Sequence, residues 1–411
     1  MSYSITRDEG YDFLGQSYSS AYPNLHRYPA TMLPQIGIKL LKDFDIPKSA
    51  VLLDPYCGTG SSFSSALEHG ISQMYGFDLN PLAVLISRAK FQKIEISELR
   101  LAQKEVRDKI YGFLKKNRDF SSLTFPKITN AEYWFSKPVL NHLALVKWAI
   151  ETLSDWSIQN FFLVPFSEVV RSCSYTRSNE FKLFRIKPEL VLEFNPDVLS
   201  VFFKKLEDVI EIYSLVYYPK LGEKLRVYIE NSAFQGETPA YDVVLTSPPY
   251  GDSRTTVAYG QFSTLANEWI GFSSARKVDR ILMGGEKSKG LYSEGLIKSP
   301  IGEIAKTDLN RALEVSSFYK DLASSIDCVA RSVRSRGKVF YVVGNRTVKG
   351  VSLPTDQFVA ESFERNGFSH ITTIKRALSS KAMPCRNSPT NVPGKTVNTM
   401  LWEYIVVCEK K

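Results

Sequence analysis

The sequence predicts an α/β protein: a doubly wound, seven-stranded, mostly parallel sheet interrupted by a large, mostly helical insertion. Two observations predict the sheet. Two strand–turn–helix units follow one another in "AVLLDPYCGTGSSFSSALEHG" (Ala50 to Gly70) and "QMYGFDLNPLAVLISRAK" (Gln73 to Lys90), and five further apolar runs alternate with turns and helices after residue 220. Successive strand–helix units need a right-handed crossover and therefore a parallel sheet. A third observation predicts the insertion. Residues 91–220 are too many for a connecting loop and carry apolar and aromatic residues at helical spacing.

In chain order, Ala50 to Leu53 is the first strand, Gly58 and Gly60 supply its turn, and Gly70 closes the helix. The second strand ends near Asp78, where Asn80 can cap a helix with Pro81 in its first position. "LRVYIENSAF" (Leu225 to Phe234) and "YDVVLTSPPY" (Tyr241 to Tyr250) read as strands three and four. "GKVFYVVGNR" reads as the fifth, followed by a helix over "TDQFVAESFERNG". "HITTIKRAL" and "EYIVVCEK" complete the sheet. The expected catalytic unit is residues 20–90, 221–270 and 313–411. Residues 91–220 form the helical insertion, and residues 271–312, rich in Gly, Ser and Lys, a looser one.

Composition narrows the class. Of 411 residues, 44% are hydrophobic and 23% charged, and no apolar run is long enough to span a bilayer. The opening "MSYSITRDEGYDF" lacks the basic-then-apolar layout of a secretion signal. Five scattered cysteines argue against a disulfide framework, and their spacing, with only four histidines, against a structural metal. The net charge of +9 favours a polyanionic partner. Arg331 to Gly350 and Ile371 to Met400 hold many Lys and Arg and no acid, which suits either a solvated surface or a phosphate-facing one.

Two turns carry the chemistry. A glycine turn after a first parallel strand lets a ligand approach the backbone, and an acid at the end of the next strand, Asp78, can accept ribose hydroxyls, so a nucleoside-type cofactor is the reading. "GTG" alone lacks the third glycine of the dinucleotide fingerprint and the lysine of a P-loop. In Ser247-Pro248-Pro249-Tyr250 the prolines stop the fourth strand and stiffen a backbone set between a hydroxyl and an aromatic ring.

"DPYCGTGS", "GFDLNP" and "TSPPY", in that order, resemble the motifs of the amino-methylating DNA methyltransferases, and "SPPY" the branch of restriction–modification systems that acts on cytosine N4. "HRYPATMLPQ" (His26 to Gln35), "VVGNR" and "SSKAMPCRNSPTN" with "GKTVNTMLWEYIVV" are similar to further family segments; the two insertions are not covered. The resemblance implies the Rossmann-like methyltransferase fold, S-adenosyl-L-methionine as cofactor and double-stranded DNA as substrate. It also implies a cognate restriction endonuclease, a prokaryotic cytoplasmic, nucleoid-associated setting, and a monomer or weak dimer without metal or membrane. Ser247, Pro248, Pro249 and Tyr250 would be catalytic: hydroxyl and carbonyl acceptors draw on the N–H bonds of a flipped cytosine amine while the ring stacks on the base. Asp54, Pro55, Tyr56, Gly58 and Gly60 would line the methionine part of the cofactor. Asp78 would take the ribose and Leu79 lie by the adenine, with Tyr28, Pro29, Ala30 and Thr31 closing over the methionine end. Asn231 and Ser232 stand where the family usually has an acid that holds the adenine amine.

DNA contacts are expected from Arg254, Thr255 and Tyr259 after the tetrad, from Arg171, Arg177 and Lys182 in "RSCSYTRSNEFKLFRIK", and from Arg346, Lys381 and Arg386. Motif order assigns target recognition mainly to residues 91–220, helped by 271–312. Adenine N6 or RNA methylation would use the same fold, and a non-catalytic DNA-binding regulator could use the same scaffold, although both turns are intact. Cytosine C5 chemistry needs a Pro-Cys after the fourth strand; Pro384-Cys385 lies far downstream, so that reading is set aside.

Overall fold

The computed structural model describes residues 3–16, 22–29, 31–116, 119–177, 180–236, 238–252, 257–273, 275–378, 386–387, 397–398 and 401–411. The strands are β1 (Ile5–Arg7), β2 (Val51–Asp54), β3 (Gln73–Phe77), β4 (Arg226–Glu230), β5 (Tyr241–Thr246), β6 (Val333–Val343), β7 (Arg346–Val348), β8 (Val351–Leu353), β9 (Phe368–Ala377), β10 (Arg386–Asn387), β11 (Val397–Asn398) and β12 (Trp402–Lys410). The helices before the tetrad are α1 (Pro34–Asp43), α2 (Ser61–His69), α3 (Pro81–Phe91), α4 (Ile96–Lys116), α5 (Ala131–Trp134), α6 (Lys137–Glu151), α7 (Trp156–Ser172), α8 (Pro188–Glu193) and α9 (Val198–Ile212). After it come α10 (Tyr259–Ile270), α11 (Val278–Ile281), α12 (Lys298–Thr307), α13 (Leu309–Ser332) and α14 (Thr355–Arg365).

The main sheet runs β1-β9-β12-β6-β5-β2-β3-β4. Its pairs are parallel except those of β12, which lies antiparallel to both β6 and β9. The seven expected strands are present. An eighth, β1, adds at the edge of β9; its three residues are exposed, so no apolar run announced it. The strand order reverses between β2 and β5, which places the ends of those two strands side by side, the position where open α/β sheets bind ligands.

Alternation along the central strands feeds two cores. Leu52, Val243, Leu245, Phe340, Val342, Ile405 and Val407 face one, shared with α1–α3, α6, α7, α9 and α10. Leu53, Val244, Val339, Tyr341, Val406 and Cys408 face the other, covered by α12–α14. Residues 96–212 are mostly helical, and α7 packs on α3 and α10, so their apolar core is continuous with that of the sheet. Residues 271–312 are more packed than their Gly and Ser content suggested: Ile297, Ile301 and Ile304 are fully buried, and α12 lies along α13. Among the described residues no helix is long and apolar enough to cross a membrane.

Among the described residues, several bases of the long basic runs pair with acids distant in sequence. Arg334 pairs with Asp242, Lys338 with Glu409, Lys349 with Asp308 and Arg376 with Glu403. Cys385 and Lys381 lie outside the described residues.

Candidate active site

Asp54 ends β2 and Thr246 ends the neighbouring β5, and the Thr246 hydroxyl donates to the Asp54 carboxylate at 2.5 Å. The same carboxylate accepts the Tyr56 N–H at 3.0 Å and the Ser62 hydroxyl. It thus ties the glycine turn, the start of α2 and the strand leading to Ser247. Burial lifts its pKa to about 6, against the pull of these hydrogen bonds.

Gly58 has φ +50°, and a Cβ placed on it would meet no atom within 4 Å, so its bare backbone faces open space. Its N–H donates to Asp78 at 3.0 Å, while the Asn80 N–H donates to the other Asp78 oxygen at 2.8 Å. Burial raises the Asp78 pKa to about 6 as well. Gly60 has a different task. With φ +82° it starts α2, and a Cβ there would stand 2.4 Å from the Phe91 ring.

A cavity of about 500 Å³ opens at these strand ends. Tyr28, Thr31, Asp54, Pro55, Tyr56, Gly58, Asp78, Leu79, Ser232, Ser247 and Pro249 line it, as the sequence assigned to cofactor and catalysis. Pro29, Gly60, Asn231, Pro248 and Tyr250 are not on its wall, and Ala30 lies outside the described residues. Asn231 is exposed, and its amide nitrogen donates to the Asp78 carbonyl at 2.8 Å. Tyr28 is buried; its hydroxyl accepts from the Asn80 side chain at 2.8 Å and its ring stacks on Tyr259 with centroids 5.9 Å apart. Tyr259, expected to border DNA, therefore lines the cavity.

Several wall residues escaped the sequence reading. Phe234, packed on Phe77 with centroids 5.0 Å apart, sits just past β4, and Met283 comes from the 271–312 segment. Asp321, Ser324, Ser325, Cys328 and Arg331 come from α13. Their spacing of three and four was the available signal: a polar stripe beside the apolar one of Leu322, Ile326 and Val329.

In the tetrad, the Ser247 hydroxyl points its proton at the Tyr250 oxygen over 3.3 Å, and the Tyr250 hydroxyl donates to Glu403 at 2.9 Å. Burial, with the Glu403 charge second, pushes the Tyr250 phenol well above its ordinary pKa. The chain beyond is clamped: buried Asp252 pairs with Arg311 at 2.8 Å and Arg346 at 3.3 Å. A Cβ on Gly251 would stand 1.7 Å from the Arg346 guanidinium, so a side chain there would push Arg346 off its place beside Asp252.

The other residues expected at DNA divide. Arg171 is turned inward: it donates to the Phe262 carbonyl at 3.1 Å, stacks 4.5 Å over that ring, and burial lowers its pKa to about 10. Arg346 braces Asp252. Arg177 and Lys182 are exposed, Arg177 in an ion pair with Glu180 at 2.9 Å. Arg386 lies in β10, paired with Asn398. Arg254, Thr255 and Lys381 lie outside the described residues.

No protein-family model matches the chain. The type II methyltransferase M.MvaI of Kocuria varians is 35% identical over 424 residues, spanning 96% of this chain and 92% of its own. The chain belongs to the type II methyltransferases. Among solved structures, a Listeria monocytogenes protein assigned as an S-adenosylmethionine-dependent methyltransferase is 9% identical, covering 91% of this chain and 98% of its own, at a TM-score of 0.30. The rRNA methyltransferase aviRa of Streptomyces viridochromogenes is 10% identical, with 98% and 94% covered, also at 0.30. Neither likeness is close enough to carry an argument.

The cofactor of this methyltransferase is S-adenosylmethionine, and the cavity fits it. Each Asp78 oxygen has accepted one backbone N–H, which leaves lone pairs for two vicinal hydroxyls. Leu79 and Phe234 offer apolar faces to a purine, and two carboxylates, buried Asp54 and half-buried Asp78, favour a cationic sulfonium.

Proposed function

We propose that this type II methyltransferase modifies duplex DNA at the exocyclic N4 of cytosine, as the protective half of a restriction–modification pair. One observation carries the reading: Ser247 and Pro249 stand on the wall of the same cavity as Asp54, Gly58 and Asp78. When bound, the cofactor supplies a methyl group already activated on sulfur.

The chain's own task is the amine. A cytosine N4 lone pair is delocalised into the ring. Two acceptors that take its N–H bonds favour a tetrahedral nitrogen, and the Ser247 hydroxyl and Pro248 carbonyl are held by the stiff Pro-Pro backbone for that role. The N–C bond would form as the C–S bond of the bound cofactor breaks, and the nitrogen would then release one proton to solvent. Tyr250 stacks on the base, which leaves the duplex at a cost of roughly a few kcal/mol. Ser232, on the cavity wall beside Asn231, is the acceptor assigned to the adenine amine, while the exposed Asn231 gives its nitrogen to the Asp78 carbonyl.

Target reading falls to the helical segment. The Leu183 N–H donates to Gln261 at 3.3 Å, so the arm carrying Arg177 and Lys182 packs on the start of α10, beyond the tetrad. The test is incubation with duplex DNA and methyl-labelled cofactor. Label enters the DNA with the native protein and falls at least about a hundredfold with Ser247→Ala; equal labelling by both removes the tetrad from the mechanism.

A further inference from the structure

The Ser247 hydroxyl can serve the substrate amine as an acceptor only if its own proton points elsewhere. Its neighbours settle where. The hydroxyl donates to the Tyr250 oxygen at 3.3 Å, and Tyr250, with a single proton, donates to Glu403 Oε1 at 2.9 Å. The second oxygen of Glu403 takes the Arg376 guanidinium. Glu403 and Arg376 are directly opposed on the antiparallel strands β12 and β9.

Arg376 is itself buried. Its Nε donates to the Tyr11 carbonyl at 2.6 Å and its Nη2 to the Asp12 carbonyl at 3.1 Å. A guanidinium has donors only and keeps its charge. The Arg376 end therefore requires an acceptor at Glu403, and every donor from Ser247 through Tyr250 points the same way.

We infer that Glu403 is a positioning residue for methyl transfer: through Tyr250 it draws the Ser247 proton away from the substrate, so that serine lone pairs meet the amine. This inference deepens the reading above and rests on it.

Glu403→Gln tests the polarity while preserving shape. Arg376 still demands the oxygen of residue 403, so the new amide group faces Tyr250 and donates to it. The phenol proton then turns to Ser247, and the serine proton turns to the substrate. The expected result is a fall in kcat of about tenfold or more, the worth of one hydrogen bond, with KM for DNA and the cofactor Kd within about twofold. Tyr250→Phe keeps the ring but removes the acceptor for the serine proton, and kcat should fall by a similar factor. In the double variant the losses should not multiply, because without the phenol Glu403 no longer reaches Ser247. Glu403→Asp keeps an ionised acceptor and should recover part of the kcat lost in Glu403→Gln.

If Tyr250→Phe keeps kcat within about twofold of the native protein, or the two losses multiply, the inference is overturned. Should Glu403→Gln not fold, Tyr250→Phe alone decides by the same limit. A native protein that methylates no exocyclic amine refutes the functional reading instead, so the two failures are distinguishable.

Discussion

If Asp78 holds the ribose as proposed, Asp78→Asn removes half of the acceptor set offered to it. In the native protein each carboxylate oxygen holds one backbone N–H, from Gly58 at 3.0 Å and Asn80 at 2.8 Å, and Asp78 lines the cavity. The amide has one acceptor oxygen, so one of these N–H groups meets a donor and one ribose hydroxyl loses a charged partner. Losing a hydrogen bond to a charged group costs about 1.5–3 kcal/mol, and an unpaired buried donor about 1–3 kcal/mol more. Part of the second cost falls on the unbound fold. The expected net loss in cofactor binding is therefore about 2–4 kcal/mol, or roughly 30- to 1,000-fold in Kd. Isothermal titration of the folded variant with S-adenosylmethionine measures it. A Kd within about threefold of the native value would refute the placement of the ribose at Asp78.

Burial raises Asp54 and Asp78 from 3.8 to about 6, so the free fold binds protons that the unfolded chain does not between those values. Their contribution to stability is present below pH 3.8 and lost as pH rises through about 6. Cofactor binding runs the opposite way, because the ribose hydroxyls and the sulfonium favour the ionised acids. Affinity should thus weaken as pH falls through about 6, less steeply in Asp78→Asn, and titrations at several pH values check this. Gly60→Ala places a Cβ 2.4 Å from the Phe91 ring at φ +82°, and should destabilise the protein by about 1–3 kcal/mol in denaturant unfolding. Lys182→Ala should weaken DNA binding across sequences and shallow the log–log salt dependence by about one ion. Arg171→Lys should leave that slope unchanged, since Arg171 is used against Phe262.

The sheet was legible because parallel strands buried on both faces read as continuous apolar runs, as in Val243 to Leu245. Asn80 and Pro81 marked a helix start, and the side chain of Asn80 accepts the Leu82 N–H at 3.2 Å as a cap should. Most of the cavity-wall residues named from the sequence were legible because they sit in turns directly after strands. Charge was less informative. Arg171 and Arg346 looked like DNA contacts because a basic residue announces itself while its partner does not; Phe262 and Asp252 lie 91 and 94 positions away. Glu403 was hidden for the same reason, 153 positions from the tyrosine it holds. In residues 271–312 the glycines and serines masked Ile297, Ile301 and Ile304, whose helical spacing was the better guide.

The most direct measurement is mass spectrometry of nucleosides from duplex DNA treated with the protein and S-adenosylmethionine. A cytosine amine held at Ser247 and Pro248 yields N4-methyldeoxycytidine. N6-methyldeoxyadenosine or 5-methyldeoxycytidine as the product would contradict it.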